Sequence, residues 1–193
     1  NAIDINIDGG ETAAIVVNDE ETVSVTGSGT GTATATLTST DMTSLTVTGG
    51  NAVDLHTGAI ANATKLATID ASAATGAVSI NAGVSTVDAT VTANTLGGVF
   101  TFVGGSGDDT ITGGNAADDI TGGSGNDTIN GGAGGDTITV SNASGGVAVN
   151  GGDGNDLINV LSGSVESLNV GGGSDTVNIA TGSVVSAVTL GAG

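Results

Sequence analysis

From residue 104 onward the apolar positions are sparse and regular. In each stretch of nine residues the last three run polar, apolar, polar, as in "TIT" at 110–112 and "TIN" at 128–130. One inward side chain per three-residue strand predicts very short strands on the wall of a narrow core. Upstream the apolar residues are denser and their spacing is wider. Leu45, Ile69 and Val87 are expected to mark one strand in successive coils, 24 and 18 residues apart; Val53 with Leu55, and Val78 with Ile80, mark a second. The alternation "VFTFV" at 99–103 puts Phe100 and Phe102 on one face, where a broad solenoid passes into a narrow one. Residues 1–40 hold strand-like runs ("AIDINI", "AAIVV", "TVSVT", "TATATLT") with no firm period, which leaves further coils and a small antiparallel piece both open.

The nine-residue period is explicit in the letters. Residues 104–139 are four consecutive nonamers, "GGSGDDTIT", "GGNAADDIT", "GGSGNDTIN" and "GGAGGDTIT"; a fifth, "GGDGNDLIN", starts at Gly151 and a sixth, "VGGGSDTVN", at Val170. Glycines at positions one, two and four are expected to let the backbone take positive φ and gather its carbonyls. Two nonamers make one coil with two strands, so nonamers two apart stack about 4.8 Å from each other. That register gives two aspartate columns. One holds Asp109 and Asp127; the other holds Asp118 and Asp136, and extends to Asp156 and Asp175 if residues 140–150 and 160–169 each replace one nonamer, with strands around Val147–Val149 and Leu168. One edge of the solenoid thus keeps its carboxylates while the other loses them after Asp127.

Composition sharpens this picture. Phe100 and Phe102 are the sole aromatics, proline and cysteine are absent, and β-branched residues with glycine, serine and asparagine favour strands and turns. Burial therefore rests on many small contacts, and no disulfide or thiolate metal site exists. Twenty acidic residues face the single Lys65. A chain without a basic patch is not a nucleic-acid binder, and no apolar run is long enough to be a transmembrane segment. The absent initiator methionine suggests a piece of a longer protein.

The stacked carboxylates carry the chemistry. Two like charges roughly 5 Å apart repel by about 3 kcal/mol at an effective dielectric of 20. A divalent cation between rungs reverses that sign, and carboxylate and carbonyl oxygens in a flexible turn suit Ca²⁺ better than Mg²⁺ or zinc. Ion binding and folding then become one event.

The GGxGxDxUx pattern resembles the repeats-in-toxin (RTX) family over about residues 104–178. The resemblance implies an all-β chain, a right-handed parallel β-solenoid whose broader β-helix at the N-terminal side passes into a calcium-binding RTX β-roll. It is divided as 1–40, a strand-rich segment; 41–103, a broad parallel β-helix; and 104–193, the β-roll with irregular later coils. The family's ligand pattern takes carbonyls at positions two and four plus the aspartate of one turn, and carbonyls at one and three plus the aspartate of the next. Carried over, it implies four sites. The first joins Gly105, Gly107 and Asp109 to Gly122, Ser124 and Asp127. The second joins Gly114, Ala116 and Asp118 to Gly131, Ala133 and Asp136. The third joins Gly132, Gly134 and Asp136 to Gly151, Asp153 and Asp156. The fourth joins Gly152, Gly154 and Asp156 to Val170, Gly172 and Asp175. Ala116 stands where glycine is expected, and the eleven-residue insert at 140–150 must bulge outward for the third site to close.

The threonine-rich "LATIDASAATGAVSINA" is similar to stretches of RTX-type bacterial surface-layer proteins. That implies an extracellular, calcium-dependent structural protein, secreted by the type I route, with other copies of itself or the rest of its chain as partners. A calcium-binding module of a large adhesin is the alternative, and the β-roll of a secreted enzyme a weaker one. No enzymatic activity is expected. His56 beside Asp54 lacks a second histidine and a nucleophile elbow, and Asp108 with Asp109, or Asp118 with Asp119, point to opposite faces of a strand. Asp4, Asp8 and Glu11 with Asp19, Glu20 and Glu21 read as a solvated acidic surface, Lys65 as a lone exposed charge, and "NAT" at 62–64 as a chance sequon.

Overall fold

In the computed structural model, residues 1–17, 21–55, 60–61, 63–141 and 143–191 are described. Every strand pairing among them is parallel, and the strands fall into two sheets that face each other. One sheet runs Ala2–Asp8, Thr22–Ser28, Ser44–Gly49, Thr68–Asp70, Thr90–Thr92, Thr110–Thr112, Thr128–Ala133, Ala143–Asp153 and Gly163–Asn169, and ends with Val184–Val185 and Val188–Thr189, which pair end to end along Gly163–Asn169. The chain alternates between the sheets, so each coil gives one strand to either. The result is a parallel β-solenoid with no helix among the described residues. Residues 1–40 join it as coils: Ile3 pairs with Val23, and Val23 with Leu45. The antiparallel alternative does not occur there.

Alternate strand residues point inward. On one sheet the core column is Val23, Leu45, Ile69, Val91, Ile111, Ile129, Val149 and Leu168; on the other it is Leu55, Ile80, Phe102, Ile120, Ile138 and Ile158, all buried. The third member of the upstream strand is therefore Val91. Val87, expected from spacing, is half-buried in the preceding bend, because the coil from Ile69 takes 22 residues to return rather than 18.

Coil length tapers along the axis. Leu55 to Ile80 spans 25 residues, Ile80 to Phe102 spans 22, and Phe102 to Ile120 and Ile120 to Ile138 span 18 each. The extra residues of the wide coils fill corners with apolar side chains. Backbone N–H groups of Leu66, Ala74, Ser85 and Leu96 close tight turns onto the carbonyls of Ala63, Ala71, Ala82 and Ala93, and all eight residues are buried. Phe100 and Phe102 sit where the coil shortens, stacked with ring centroids 5.6 Å apart and fully buried. Two large rings fill the step between a wide core and one that continues with a single isoleucine per strand at Ile111, Ile120 and Ile129.

The insert at 140–150 is absorbed as a bulge. Register slips between Ala143 and Val147 and again before Ala148, with Gly145 and Gly146 at positive φ on the outside, after which Gly132 and Gly152 pair in register.

Candidate calcium sites

Each repeat aspartate lies at the end of a glycine turn, immediately before its strand, with its carboxylate folded inward. Asp109, Asp118, Asp127, Asp136 and Asp156 are all no more than 3% exposed. Strand register then stacks them. The Asp109 backbone N–H donates to Asp127 Oδ1 at 3.0 Å. Asp118 donates to Asp136 at 2.8 Å, Asp136 to Asp156 at 2.8 Å, and Asp156 to Asp175 at 2.9 Å. These are the two columns. After Asp127 the first is interrupted by buried Val147, which precedes Ala148, the partner of Thr128. Below, the columns begin on backbone groups that the sequence reading missed: Ala89 N–H donates to Asp109 and Phe100 N–H to Asp118, each at 2.8 Å. Ala89 and Phe100 stand where the repeats have aspartate, so aligning positions by coil, not by motif, would have found them.

The second carboxylate oxygen leans over the first glycine of its own nonamer. A Cβ on Gly104 would meet Asp109 Oδ2 and the carbonyl of Gly122; on Gly113, Asp118 Oδ2 and the carbonyl of Gly131; on Gly131, Asp136 Oδ2 and the carbonyl of Gly151; on Gly151, Asp156 Oδ2 and the carbonyl of Val170. In four places, then, a carboxylate oxygen and the position-one carbonyl of the next stacked turn converge on a space that any side chain would fill. They belong to the four residue sets of the sequence reading. Position one is glycine for this room, not for φ: of Gly122, Gly131 and Gly151 none is left-handed.

Positions two and four are left-handed in the later turns, as at Gly132 (φ 110°) and Gly134 (φ 119°). Gly105, Gly107 and Gly114 in the first two nonamers are not. Those two turns stack on Ser85 and Leu96 of the wide coils, with Ser106 and Asn115 N–H bonded to their carbonyls, and keep the backbone form of ordinary L residues. Ala116 occupies the same bend as Gly107, which explains why alanine is accepted there.

Further ring oxygens are partly engaged. The carbonyls of Gly105, Gly114 and Gly152 accept N–H groups of Ser124, Ala133 and Gly172, and those of Asp153 and Gly172 accept Gly134 and Gly154. Each retains a second lone pair.

Burial pushes all five buried carboxyls above the usual range, Asp127 and Asp136 to about 6. Backbone donors oppose the shift. Asp109 and Asp108 add repulsion at Asp127, as Asp118 and Asp156 do at Asp136. Asp136 Oδ2 and Asp156 Oδ2 are buried with no hydrogen-bond partner. Unpartnered buried anionic oxygens facing carbonyls form a hard, oxygen-only donor set. Among the described residues no three histidine or acidic side chains converge, so each site must draw most of its ligands from the backbone.

The remaining candidates do not gather into a site. Asp108 and Asp119 are exposed on the face opposite Asp109 and Asp118. Asp4, Asp8, Glu11 and Glu21 are exposed, with Asp8 accepting the Ser28 hydroxyl; Asp19 and Glu20 lie outside the described residues, as do His56 and Asn62 of the sequon. Lys65 is not lone: its Nζ pairs with Asp41 Oδ1 at 2.8 Å, which raises the lysine pKa and lowers that of the aspartate.

A parallel β-solenoid whose turns stack buried aspartates over glycines is the β-roll class of calcium-binding module. Residues 102–138 and 148–164 match the RTX calcium-binding nonapeptide repeat family, in four copies. This part of the chain is an RTX β-roll, and such repeats bind Ca²⁺, several ions to a roll. The match does not extend into the wide coils before it. No curated protein and no solved structure shows significant similarity to the chain.

Proposed function

We propose that this chain is a noncatalytic, structural segment of a secreted bacterial cell-surface protein, of the surface-layer kind, whose β-roll folds on binding extracellular Ca²⁺. The observation that carries the calcium part is the pair of buried, unpartnered oxygens on Asp136 and Asp156. They disfavour the closed turn unless a cation lies against them. Support for a structural role comes from the continuity of both sheets from the first coil to the last and from ladders of equivalent outward side chains. Asn150 Nδ2 donates to Asn130 and Asn169 Nδ2 to Asn150, both at 2.8 Å, and Asn178 donates to Asn159 at 2.9 Å. Such a rod suits a load-bearing or lattice role with other copies of itself or the rest of its chain.

Circular dichroism and calcium titration in chelator and in calcium test the first half: β signal gained with several ions bound is expected, and a chain that binds no calcium refutes it. Electron microscopy of the longer protein on cells tests the second. An ordered calcium-dependent array supports the surface-layer role; isolated fibres ending in ligand-binding domains would point to an adhesin instead.

A further inference from the structure

The solenoid divides sharply in how its corners are filled. The rings Phe100 and Phe102 and the large side chains buried outside the strands, Met42, Leu66 and Leu96, all precede residue 104, whereas the buried aspartates all follow residue 108; the later coils bury their large side chains, Ile120, Ile129, Ile138, Ile158 and Leu168, on the strands. In the wide coils the corners hold Leu66 and Leu96, and the buried Ser85 hydroxyl donates to the Leu66 carbonyl at 3.0 Å. In the first two nonamers the corners hold Asp109 and Asp118, but the backbone satisfies them. Asp118 Oδ1 accepts Phe100 N–H and its Oδ2 accepts Gly114 N–H at 2.6 Å; Asp109 accepts Ala89 N–H and a further bond from Gly105. That is possible because Gly105 and Gly114 are not left-handed, so their N–H groups face the carboxylate of their own turn. At Gly132 and Gly152 the positive φ accompanies an Asp136 Oδ2 and an Asp156 Oδ2 with no donor.

We infer that the chain is two stability units in one continuous solenoid: coils up to Thr121 fold without calcium and serve as a template, while coils from Gly122 onward require ions and add onto that template. This rests on the calcium requirement proposed above but adds where the requirement starts. The first unit has an apolar core and satisfied carboxylates. The second has glycine turns closed on buried anions without partners in place of leucine corners, and sheet edges that need a preformed neighbour to pair with. Low calcium alone would then not keep the first 121 residues unfolded inside a cell.

Hydrogen exchange on the full chain tests this. In chelator, amides of Ile69, Val91, Phe102 and Ile111 should be protected, while those of Ile138, Ile158 and Leu168 exchange freely; added calcium should protect the second group alone. Uniform loss of protection in chelator would overturn the calcium-free unit and leave the calcium function standing. Uniform protection, unchanged by calcium, would refute both. Two variants test the direction of dependence. In calcium, Ile158→Ala should cost protection only after residue 122, whereas Leu66→Ala with Leu96→Ala should cost it throughout. Later coils that stay protected on a disrupted first unit would overturn the template.

Discussion

Asp136 is the residue whose replacement should change sign with calcium. It belongs to the second and third sites and sits between Asp118 and Asp156 in the column. Burial displaces its pKa from 3.8 to about 6, which for the full displacement corresponds to about 3 kcal/mol of disfavoured charge at neutral pH. Asparagine still buries a polar group at the same spot, so about half, roughly 1.5 kcal/mol, is the working figure. Asp136→Asn removes that cost, keeps an oxygen to accept Asp118 N–H, and turns an amide toward the Gly151 carbonyl. In chelator the later coils should gain about 1.5 kcal/mol. In calcium the variant forfeits two ions. At free calcium about 100-fold above the dissociation constant each ion contributes about 2.7 kcal/mol, so the net loss is about 4 kcal/mol. Circular dichroism reads the chelator arm as a shift of the later coils toward the folded form, denaturant unfolding reads the calcium arm, and calorimetric titration gives the ion stoichiometry. Destabilisation of equal size in chelator and calcium, with stoichiometry unchanged, would refute the assignment of Asp136 as a shared ligand.

Three further outcomes are expected. Gly131→Ala fills the space between Asp136 Oδ2 and the Gly151 carbonyl and should remove one ion by titration, while Gly145→Ala, which meets no atom within 4 Å, should cost about 1–3 kcal/mol through its φ of 117° and leave the ion count unchanged. Without calcium, stability should fall as pH rises from 3.8 through about 6 and level off above, because the folded form holds protons on Asp127 and Asp136 that the unfolded chain has already released; with saturating calcium the trend should reverse, since protons then compete with ions. Phe102→Ala should cost about 3–5 kcal/mol and, read by hydrogen exchange, loosen coils on both sides of the junction, since its ring fills the step from a 22-residue to an 18-residue coil.

How much was legible in the letters depends on how local each determinant is. A nine-residue motif carries its turn, its carboxylate and its strand together, so the period alone places Asp109 above Asp127 and carries the second column across two irregular half-coils to Asp175. The wide coils have no such marker. Val87 and Val91 are equally apolar and four residues apart; which one faces the core depends on a corner length set by packing against the coil below. Lys65 likewise gained a partner because Asp41, 24 residues earlier, lies beside it on the neighbouring coil.

Sequence by itself determined the parallel solenoid, the glycine turns, the two carboxylate columns and the preference for a hard dication, because all of these repeat at a period short enough to be written in one motif. Tertiary structure alone decided which turns become left-handed, which carboxylate oxygens find a backbone donor and which are left without one. Two turns with nearly the same letters differ because one stacks on leucine and serine corners and the other on glycine, and a nonamer does not encode the rung beneath it.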